Sequence, residues 1–364
     1  MAKIAIDARE YSTSTGRYIS KLIEYLEKTD SENDYVILLK EADLDKYQPT
    51  NPRFTKIVSP YEEFGFSEQI GFAKQLYSLK ADLVHFGMVQ QPVLYFKPAV
   101  TTIHDLTTLR FTNPAKNPVV FKIKQFVYAI VIQVAAHKSK QIIVGSNYVK
   151  KDLLDYTRIK PDKVNVTLES ADRIADKPEP IKDLGGKPFL MYVGRPTPHK
   201  NLWRLIQAFA QLKKQHPDLI LALAGKMDDN YRAIQAKVEQ AGILDVIFCG
   251  FVSEGQLRWL YEQCQAYVFP SLSEGFGLPG LEAMAHGAPV IASDATCLPE
   301  IYGNAALYFK PTEINDIAET IDKVLSDGQL RQELVTAGTK RLQMYSWQKM
   351  AEQTLAIYNK ALSS

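Results

Sequence analysis

Short apolar runs rich in β-branched residues alternate along the chain with longer segments in which apolar positions recur every three or four residues. Runs of the first kind predict buried strands, and segments of the second kind predict amphipathic helices. Regular alternation of the two is typical of parallel sheets with helices on both faces. The pattern therefore predicts an α/β fold.

The strand candidates fall into two series. The first is KIAID, YVILL, TKIV, DLVHF, AVTTI, QIIVG and KVNVTL, and the second is FLMYVG, LILALAG, VIFCG, AYVF, PVIAS and ALYF. Residues 176–188 between them are dense in proline, glycine and charge, as linkers are. We predict two doubly wound, Rossmann-like domains, over 1–175 and 189–345, facing a cleft where ligands bind at the carboxyl ends of the strands.

Composition favours a soluble enzyme with well-filled cores. The 364 residues are 46% hydrophobic and 23% charged, with a net charge of +2, which argues against disorder. The three cysteines are scattered, as expected in a reducing compartment. The N-terminus lacks the apolar core of a secretory signal, and the uncharged apolar run Gln125 to Ala136 is short of the roughly 20 residues of a membrane span. We expect a cytoplasmic protein.

A glycine-rich turn follows the predicted strand AYVF. Gly275 and Gly277 let the backbone turn sharply and approach a ligand, and Pro279 suits the first position of a helix. The N–H groups of Gly275, Phe276, Gly277 and Leu278 would then point at an anion with the positive end of the helix dipole. A pyrophosphate fits this description.

Two glutamates flank this turn. Glu282, expected in the first helical turn, would accept hydrogen bonds from vicinal hydroxyls such as those of a ribose, and Glu274 would face the other end of the ligand. The alternative is an ordinary strand-to-helix connection in which Glu282 is merely favourable near a helix N-terminus.

Charged residues follow two other strands. Arg195 and Lys200 come after FLMYVG and would stabilise a diphosphate, although two surface cations can also follow a strand by chance. His104 and Asp105 end AVTTI and suit a catalytic or sugar-binding element. The alternative for this pair is a structural turn in which the aspartate caps the next segment.

Taken together, these motifs resemble the signature of glycosyltransferase family 4, retaining enzymes of the two-domain GT-B fold. The family's glycine-arginine and lysine-asparagine pairs correspond to Gly194-Arg195 and Lys200-Asn201. The HDL sequence at His104 is similar to that of mannosyltransferase-like members, in which the histidine contacts the donor sugar. The resemblance also implies that the last helix, within 346–364, crosses back to the N-terminal domain.

Three further positions match the family pattern or depart from it. Gly16 is similar to a glycine-containing loop near the donor phosphate, although many relatives have two adjacent glycines there. Val252 lies where relatives hold the nucleobase through backbone atoms. Glu169-Ser-Ala-Asp172 replaces a common glycine-valine-aspartate, a variation expected to have little bearing on chemistry.

The resemblance implies a retaining transfer of a hexose to a hydroxyl of a glycan or lipid-linked acceptor. His104, Glu274, Arg195 and Lys200 would be the catalytic residues, and the HDL sequence favours mannose from GDP-mannose. UDP-, ADP- and dTDP-sugars remain alternative donors. A nucleotide-sugar epimerase and a non-catalytic nucleotide-sugar-binding protein are alternatives of another class.

We expect no metal and no cofactor beyond the nucleotide-sugar co-substrate. The histidines lack zinc spacing, and Asp228-Asp229 follows a glycine in what is interpreted as a solvated turn. Arg195 and Lys200 would replace a divalent cation at the diphosphate.

The region 110–163 is basic, with 11 lysines or arginines against three aspartates. Its apolar segment from Val119 fits either a helix lying on anionic lipid, which would make the protein peripheral at the cytoplasmic face of a membrane, or a core helix with lysines at its edge. Its β-branched residues favour the core helix. Nucleic-acid binding is not expected, because no known module is present and the pI is mildly basic at 8.2.

Overall fold

A computed structural model describes residues 1–13, 16–63, 65–112 and 118–363. Parts of two sequence predictions, residues 14–15 of the Gly16 loop and 113–117 of the basic region, lie outside the described residues. The chain divides into two compact units: unit 1 is Met1–Leu109, Lys122–Glu169 and Ser346–Ser364, and unit 2 is Arg110–Phe121 and Ser170–Tyr345. The predicted linker, residues 176–188, falls within unit 2.

The first half of the chain forms a parallel sheet in the order β3-β2-β1-β4-β5-β6-β7. Its strands are β1 (Lys3–Asp7), β2 (Asp34–Leu39), β3 (Phe54–Val58), β4 (Leu83–Phe86), β5 (Ala99–Thr102), β6 (Gln141–Val144) and β7 (Val164–Val166). The helices are α1 (Gly16–Thr29), α2 (Ala73–Ser78), α3 (Thr107–Arg110), α4 (Pro118–Lys138) and α5 (Asn147–Thr157).

Unit 2 holds a second parallel sheet, in the order β10-β9-β8-β11-β12-β13. Its strands are β8 (Phe189–Val193), β9 (Ile220–Ala224), β10 (Val246–Gly250), β11 (Ala266–Phe269), β12 (Val290–Ser293) and β13 (Ala306–Phe309). The helices are α6 (Leu202–Leu212), α7 (Asp229–Gln240), α8 (Glu254–Gln263), α9 (Leu278–Ala285), α10 (Leu298–Tyr302), α11 (Ile314–Ser326) and α12 (Gly328–Leu342). The prediction of two doubly wound parallel sheets is confirmed.

The chain order of the strands reverses beside the first strand of each sheet. In unit 1, β1 lies between β2 and β4, and in unit 2, β8 lies between β9 and β11. Loops leaving the carboxyl ends of neighbouring strands diverge at such a point and leave room for a ligand. Each sheet therefore offers a binding position after its first strand.

The last helix, α13 (Trp347–Ser363), packs against α1 within unit 1. Tyr358 on α13 is fully buried, and its Oη lies 2.6 Å from Nδ1 of His85 on β4. The other ring nitrogen of His85 lies 2.8 Å from Oγ1 of Thr102. Burial, together with the charge of nearby His104, lowers the pKa of His85 to about 3, so this imidazole is neutral and joins α13 to the sheet.

Candidate functional site

The loop after β8 carries Lys200 and is fixed by its neighbour Asn201. Asn201 adopts a φ of +58°, and its buried side-chain amide donates hydrogen bonds to the carbonyls of Pro270 at 3.0 Å and Pro311 at 2.6 Å. These prolines follow β11 and β13, so one side chain ties the loop to two strand ends. Lys200 is thereby held at the carboxyl edge of the sheet.

Lys200 and Glu274 form an ion pair at this edge. Lys200 Nζ lies 2.6 Å from Glu274 Oε1, and the two side chains are 22% and 12% exposed. The ring of Phe269 lies 5.5 Å from Nζ. The sequence predicts that Lys200 contacts the diphosphate and that Glu274 contacts the donor sugar, and the structure brings the two side chains into contact with each other.

The backbone of Glu274 is held on both sides. Its N–H donates to Oγ1 of Thr296 at 3.1 Å, and its carbonyl accepts from the thiol of Cys297 at 3.2 Å. Burial raises the pKa of the Cys297 thiol well above its ordinary value, which keeps the sulfur protonated as a donor. Sequence reasoning missed both residues, because they follow the next strand and no motif links them to the turn.

The glycine-rich turn leads into α9 through Gly277, which has a φ of +95°. A Cβ there would come within 2.5 Å of Tyr302 Oη, and one at Gly280 would come within 2.3 Å of the same ring. The Tyr302 hydroxyl donates to the carbonyl of Gly277 at 2.5 Å. The expected position of Pro279 is wrong by one residue, because Leu278 begins the helix and Pro279 is second.

Glu282 lies one residue deeper in the helix than predicted. It is the fifth residue of α9 rather than part of the first turn, because the helix begins at Leu278. Its side chain is buried, and Oε2 accepts a hydrogen bond from the Tyr261 hydroxyl at 3.3 Å. The carboxylate is therefore positioned by a neighbouring helix, which sequence spacing does not reveal.

His286 follows α9 and supports Glu282 through the backbone. Its Nδ1 donates to the carbonyl of Glu282 at 2.7 Å, and its Nε2 accepts from the N–H of Ile174 at 3.0 Å. The ring stacks on Tyr261 with centroids 5.4 Å apart. Burial, followed by the charge of Arg173, lowers the pKa of His286 to about 4, so the neutral ring keeps one donor and one acceptor.

Arg195 contacts Asp228 rather than the Lys200–Glu274 pair. Its side chain is 72% exposed, and its guanidinium lies 3.9 Å from Asp228 Oδ2. Asp228 also accepts hydrogen bonds from the N–H groups of Asn230 and Tyr231, so it caps α7. The interpretation of Asp228-Asp229 as a solvated turn is wrong, because Asp228 caps α7 and Asp229 is the first residue of that helix.

Val252 lies in the short connection between β10 and α8. Gly250 ends the strand with a φ of +69°, and Ser253 caps α8 in a capping box with Gln256. The backbone around Val252 is thus fixed at both ends. Phe251 beside it is 85% exposed.

His104 follows β5 in unit 1 and contacts a residue that the sequence reading set aside. Its Nε2 donates to the carbonyl of Gly87 at 3.1 Å, and its Nδ1 lies 3.8 Å from Oε1 of buried Glu169. Burial lowers the pKa of His104, but Glu169, Asp105 and the hydrogen bond to the Gly87 carbonyl together outweigh burial and raise it above the ordinary value. The sequence does not predict this contact, through which Glu169 contributes to the raised pKa of His104. The expectation that the variation has little bearing on chemistry stays a prediction.

Asp105 and Gly16 each lie at the start of a helix in unit 1. Asp105 Oδ1 accepts from the N–H of Thr107 at 2.8 Å at the start of α3, as in the capping alternative. Gly16 begins α1, and a Cβ there would come within 2.2 Å of the carbonyl oxygens of Glu10 and Tyr11. A donor-binding role for either residue stays a prediction.

Among the described residues, no group of three or more histidines, cysteines, aspartates or glutamates lies close enough to hold a metal ion. Metal independence stays a prediction.

Comparison with known proteins assigns the fold and the class of enzyme. Residues 174–341 match the family model described as "Glycosyl transferases group 1". O-antigen chain mannosyltransferase B of Escherichia coli is 28% identical over 272 residues, which cover 71% of this chain and 70% of that protein. Sucrose-phosphate synthase from Thermosynechococcus elongatus superposes with a TM-score of 0.79 at 20% identity over the full length of both chains. The protein is a glycosyltransferase of the GT-B fold.

A second relative is longer than this glycosyltransferase. The serotype-specific mannosyltransferase WbdA of Escherichia coli is 30% identical over 243 residues, which cover 62% of this chain and 29% of WbdA. The chain therefore matches less than a third of that protein. The family model spans the unit 2 site residues from Arg195 to Glu282, whereas His104, Asp105 and Gly16 lie outside it.

Proposed function

We propose that this glycosyltransferase transfers mannose from GDP-mannose to a hydroxyl of a glycan or lipid-linked acceptor, with retention of the anomeric configuration. Support comes from the two relatives named as mannosyltransferases and from the HDL sequence at His104. The proposed compartment is the cytoplasm. Its support is that Cys249, Cys264 and Cys297 are all free thiols.

The observation that carries the proposal is the Lys200–Glu274 pair at the carboxyl edge of the unit 2 sheet, beside the turn before α9. A donor diphosphate would replace Glu274 as the partner of Lys200, because a phosphate oxygen offers the same negative charge. Glu274 would then be free to accept hydrogen bonds from the donor sugar. Binding would thus exchange one ion pair for another, and hydrogen bonds from the sugar hydroxyls would replace the cation at the carboxylate of Glu274.

Each site residue has a proposed role in the transfer. Lys200 and Arg195 stabilise the charge that gathers on the leaving diphosphate, without a metal. Glu274 orients the sugar, His104 holds its hydroxyls, and Glu282 accepts hydrogen bonds from the ribose. The acceptor hydroxyl attacks the face that the phosphate leaves, and the departing phosphate takes the proton.

The remaining residues bind the donor through the backbone. The turn Gly275–Leu278 directs the N-terminus of α9 at the diphosphate, which the helix dipole favours. The segment at Val252 borders the nucleobase. Gly16 and Asp105 contribute from unit 1, where each fixes the start of a helix.

Thermal unfolding with GDP, UDP, ADP and dTDP tests the donor. A ligand at 100 times its dissociation constant stabilises a protein by about 2.7 kcal/mol, and we expect this effect with GDP. Glu282→Ala should reduce the rise in melting temperature that GDP causes, measured from the variant's own melting temperature. Glu319→Ala, on the exposed face of α11, should not reduce it. A selective shift with another nucleotide would replace the donor assignment, and the absence of any shift would refute the site.

Turnover with GDP-mannose then tests the reaction. We expect the released nucleotide to be GDP, the product to keep the α configuration by proton NMR, and the rate to survive EDTA. An inverted product would contradict retention, and loss of the rate in EDTA would contradict metal independence.

A further inference from the structure

Helix α4 exposes an apolar stripe over its first half. Ile123, Phe126, Val127 and Ile130 are 59%, 68%, 42% and 45% exposed, and Val119 and Val120 before them are 66% and 50% exposed. These positions recur every three or four residues and therefore share one helix face. The predicted core helix is wrong for this half, because its apolar face is exposed in the part of the chain that the structure describes.

The second half of α4 is anchored in unit 1. Tyr128, Ile132, Ala135 and Ala136 are buried and pack with residues of β6 and α5, including Val149. The exposed stripe is therefore the continuation of a helix whose other end is fixed in a core. It is presented rigidly rather than on a loose segment.

The charged residues of the segment that contains the stripe have one sign. At about 100° of rotation per residue, exposed Lys122 and Lys124 flank the stripe on opposite sides. From residue 106 to residue 151 the sequence holds eight lysines or arginines and no aspartate or glutamate. An apolar face bordered by lysines matches the interface of a bilayer that contains anionic lipid.

We infer that the α4 stripe docks the glycosyltransferase on the surface of an anionic lipid bilayer, with the helix lying in the interface. The inference rests on the surface of α4 and not on the donor assignment. Phe126 and the aliphatic side chains enter the acyl boundary, while the ammonium groups of Lys122 and Lys124 contact lipid phosphates. An acceptor linked to lipid would be met at the same surface.

Two other uses of the stripe fit less well. The sequence predicts no membrane span, yet the helix over Val119–Lys138 is long and apolar enough to cross a membrane, with a mean hydropathy of 1.6. Crossing would pull Ile132, Ala135 and Ala136 out of the core of unit 1. Pairing with a second copy across a two-fold axis would bring Lys122 and Lys124 of both copies together without carboxylates to neutralise them.

Vesicle co-sedimentation of the full chain tests the inference. We expect binding to phosphatidylglycerol vesicles that weakens with salt, and weak binding to phosphatidylcholine. Ile123→Ser with Phe126→Ser should lower the partition coefficient at least about tenfold, because two exposed apolar side chains no longer enter the lipid. Lys122→Gln with Lys124→Gln should lower it about 25-fold on the anionic vesicles, from about fivefold for each lysine.

The matched control is Leu244→Ser, which removes a side chain 74% exposed in unit 2 and should leave binding unchanged. Unchanged melting temperatures would show that the α4 variants remain folded. The inference is overturned if wild type ignores anionic vesicles, if Ile123→Ser with Phe126→Ser binds as wild type does, or if that variant instead converts a dimer to a monomer in sedimentation equilibrium without changing lipid binding.

Discussion

Glu169 places its carboxylate beside the imidazole of His104, with Oε1 3.8 Å from Nδ1. The pKa of His104 is raised because this carboxylate, together with Asp105 and the Gly87 carbonyl, outweighs the opposing effect of burial. A histidine whose pKa is higher in the folded state stabilises the fold by its proton. This contribution is fully present below the unfolded pKa of about 6.5 and is lost as the pH rises through the folded pKa.

Replacing Glu169 by glutamine should therefore lower the pKa of His104, since burial remains and the largest opposing contribution is gone. An NMR titration of the imidazole in wild type and Glu169→Gln measures the change. Glu32→Gln, at an exposed position of unit 1, is the control and should leave the titration unchanged. An identical titration in Glu169→Gln would show that Glu169 does not set the charge of His104.

Replacing Lys200 by alanine should reduce kcat by about 100- to 1000-fold, the effect of removing one group that stabilises transition-state charge. Nucleotide-sugar turnover measures this loss of kcat. The control Lys323→Ala, at an exposed position of α11, should keep the wild-type rate. Donor turnover at the wild-type rate in Lys200→Ala would refute the proposed phosphate contact.

Replacing Gly277 by alanine should destabilise the protein by about 2–5 kcal/mol, from the positive φ and from overpacking against Tyr302. Gly287→Ala is a matched control, because Gly287 has a φ of +76° but a Cβ there would meet nothing within 4 Å. It should cost about 1–2 kcal/mol. Urea unfolding compares the two, and equal losses would show that Tyr302 yields to the added methyl.

The parallel sheets were predictable because each strand leaves a local trace. A strand such as β9, with the sequence ILALA, is buried along its whole length and reads as a continuous apolar run. The prediction of a core helix at α4 is wrong for a related reason. Its apolar residues point both into unit 1 and outward, and hydropathy does not distinguish a face covered by protein from an uncovered one.

The partners within the site were not predictable in the same way. Lys200 and Glu274 were each identified from motifs, but their contact joins residues 74 positions apart and depends on the register of β8 with β11. Tyr261, Thr296 and Tyr302 support the site from separate helices or loops. The sequence does not predict the hydrogen-bond partner of a hydroxyl that belongs to no motif.

The role of Asn201 depends on the direction of its hydrogen bonds rather than on its size. Its side-chain nitrogen donates to two carbonyl oxygens, those of Pro270 and Pro311. Hydrolysis of this amide to a carboxylate would preserve the shape and remove both donors, leaving three oxygen-bearing groups facing one another. The geometry around Lys200 thus depends on the intact side-chain amide of Asn201. Deamidation would disrupt this geometry without changing the volume of the side chain.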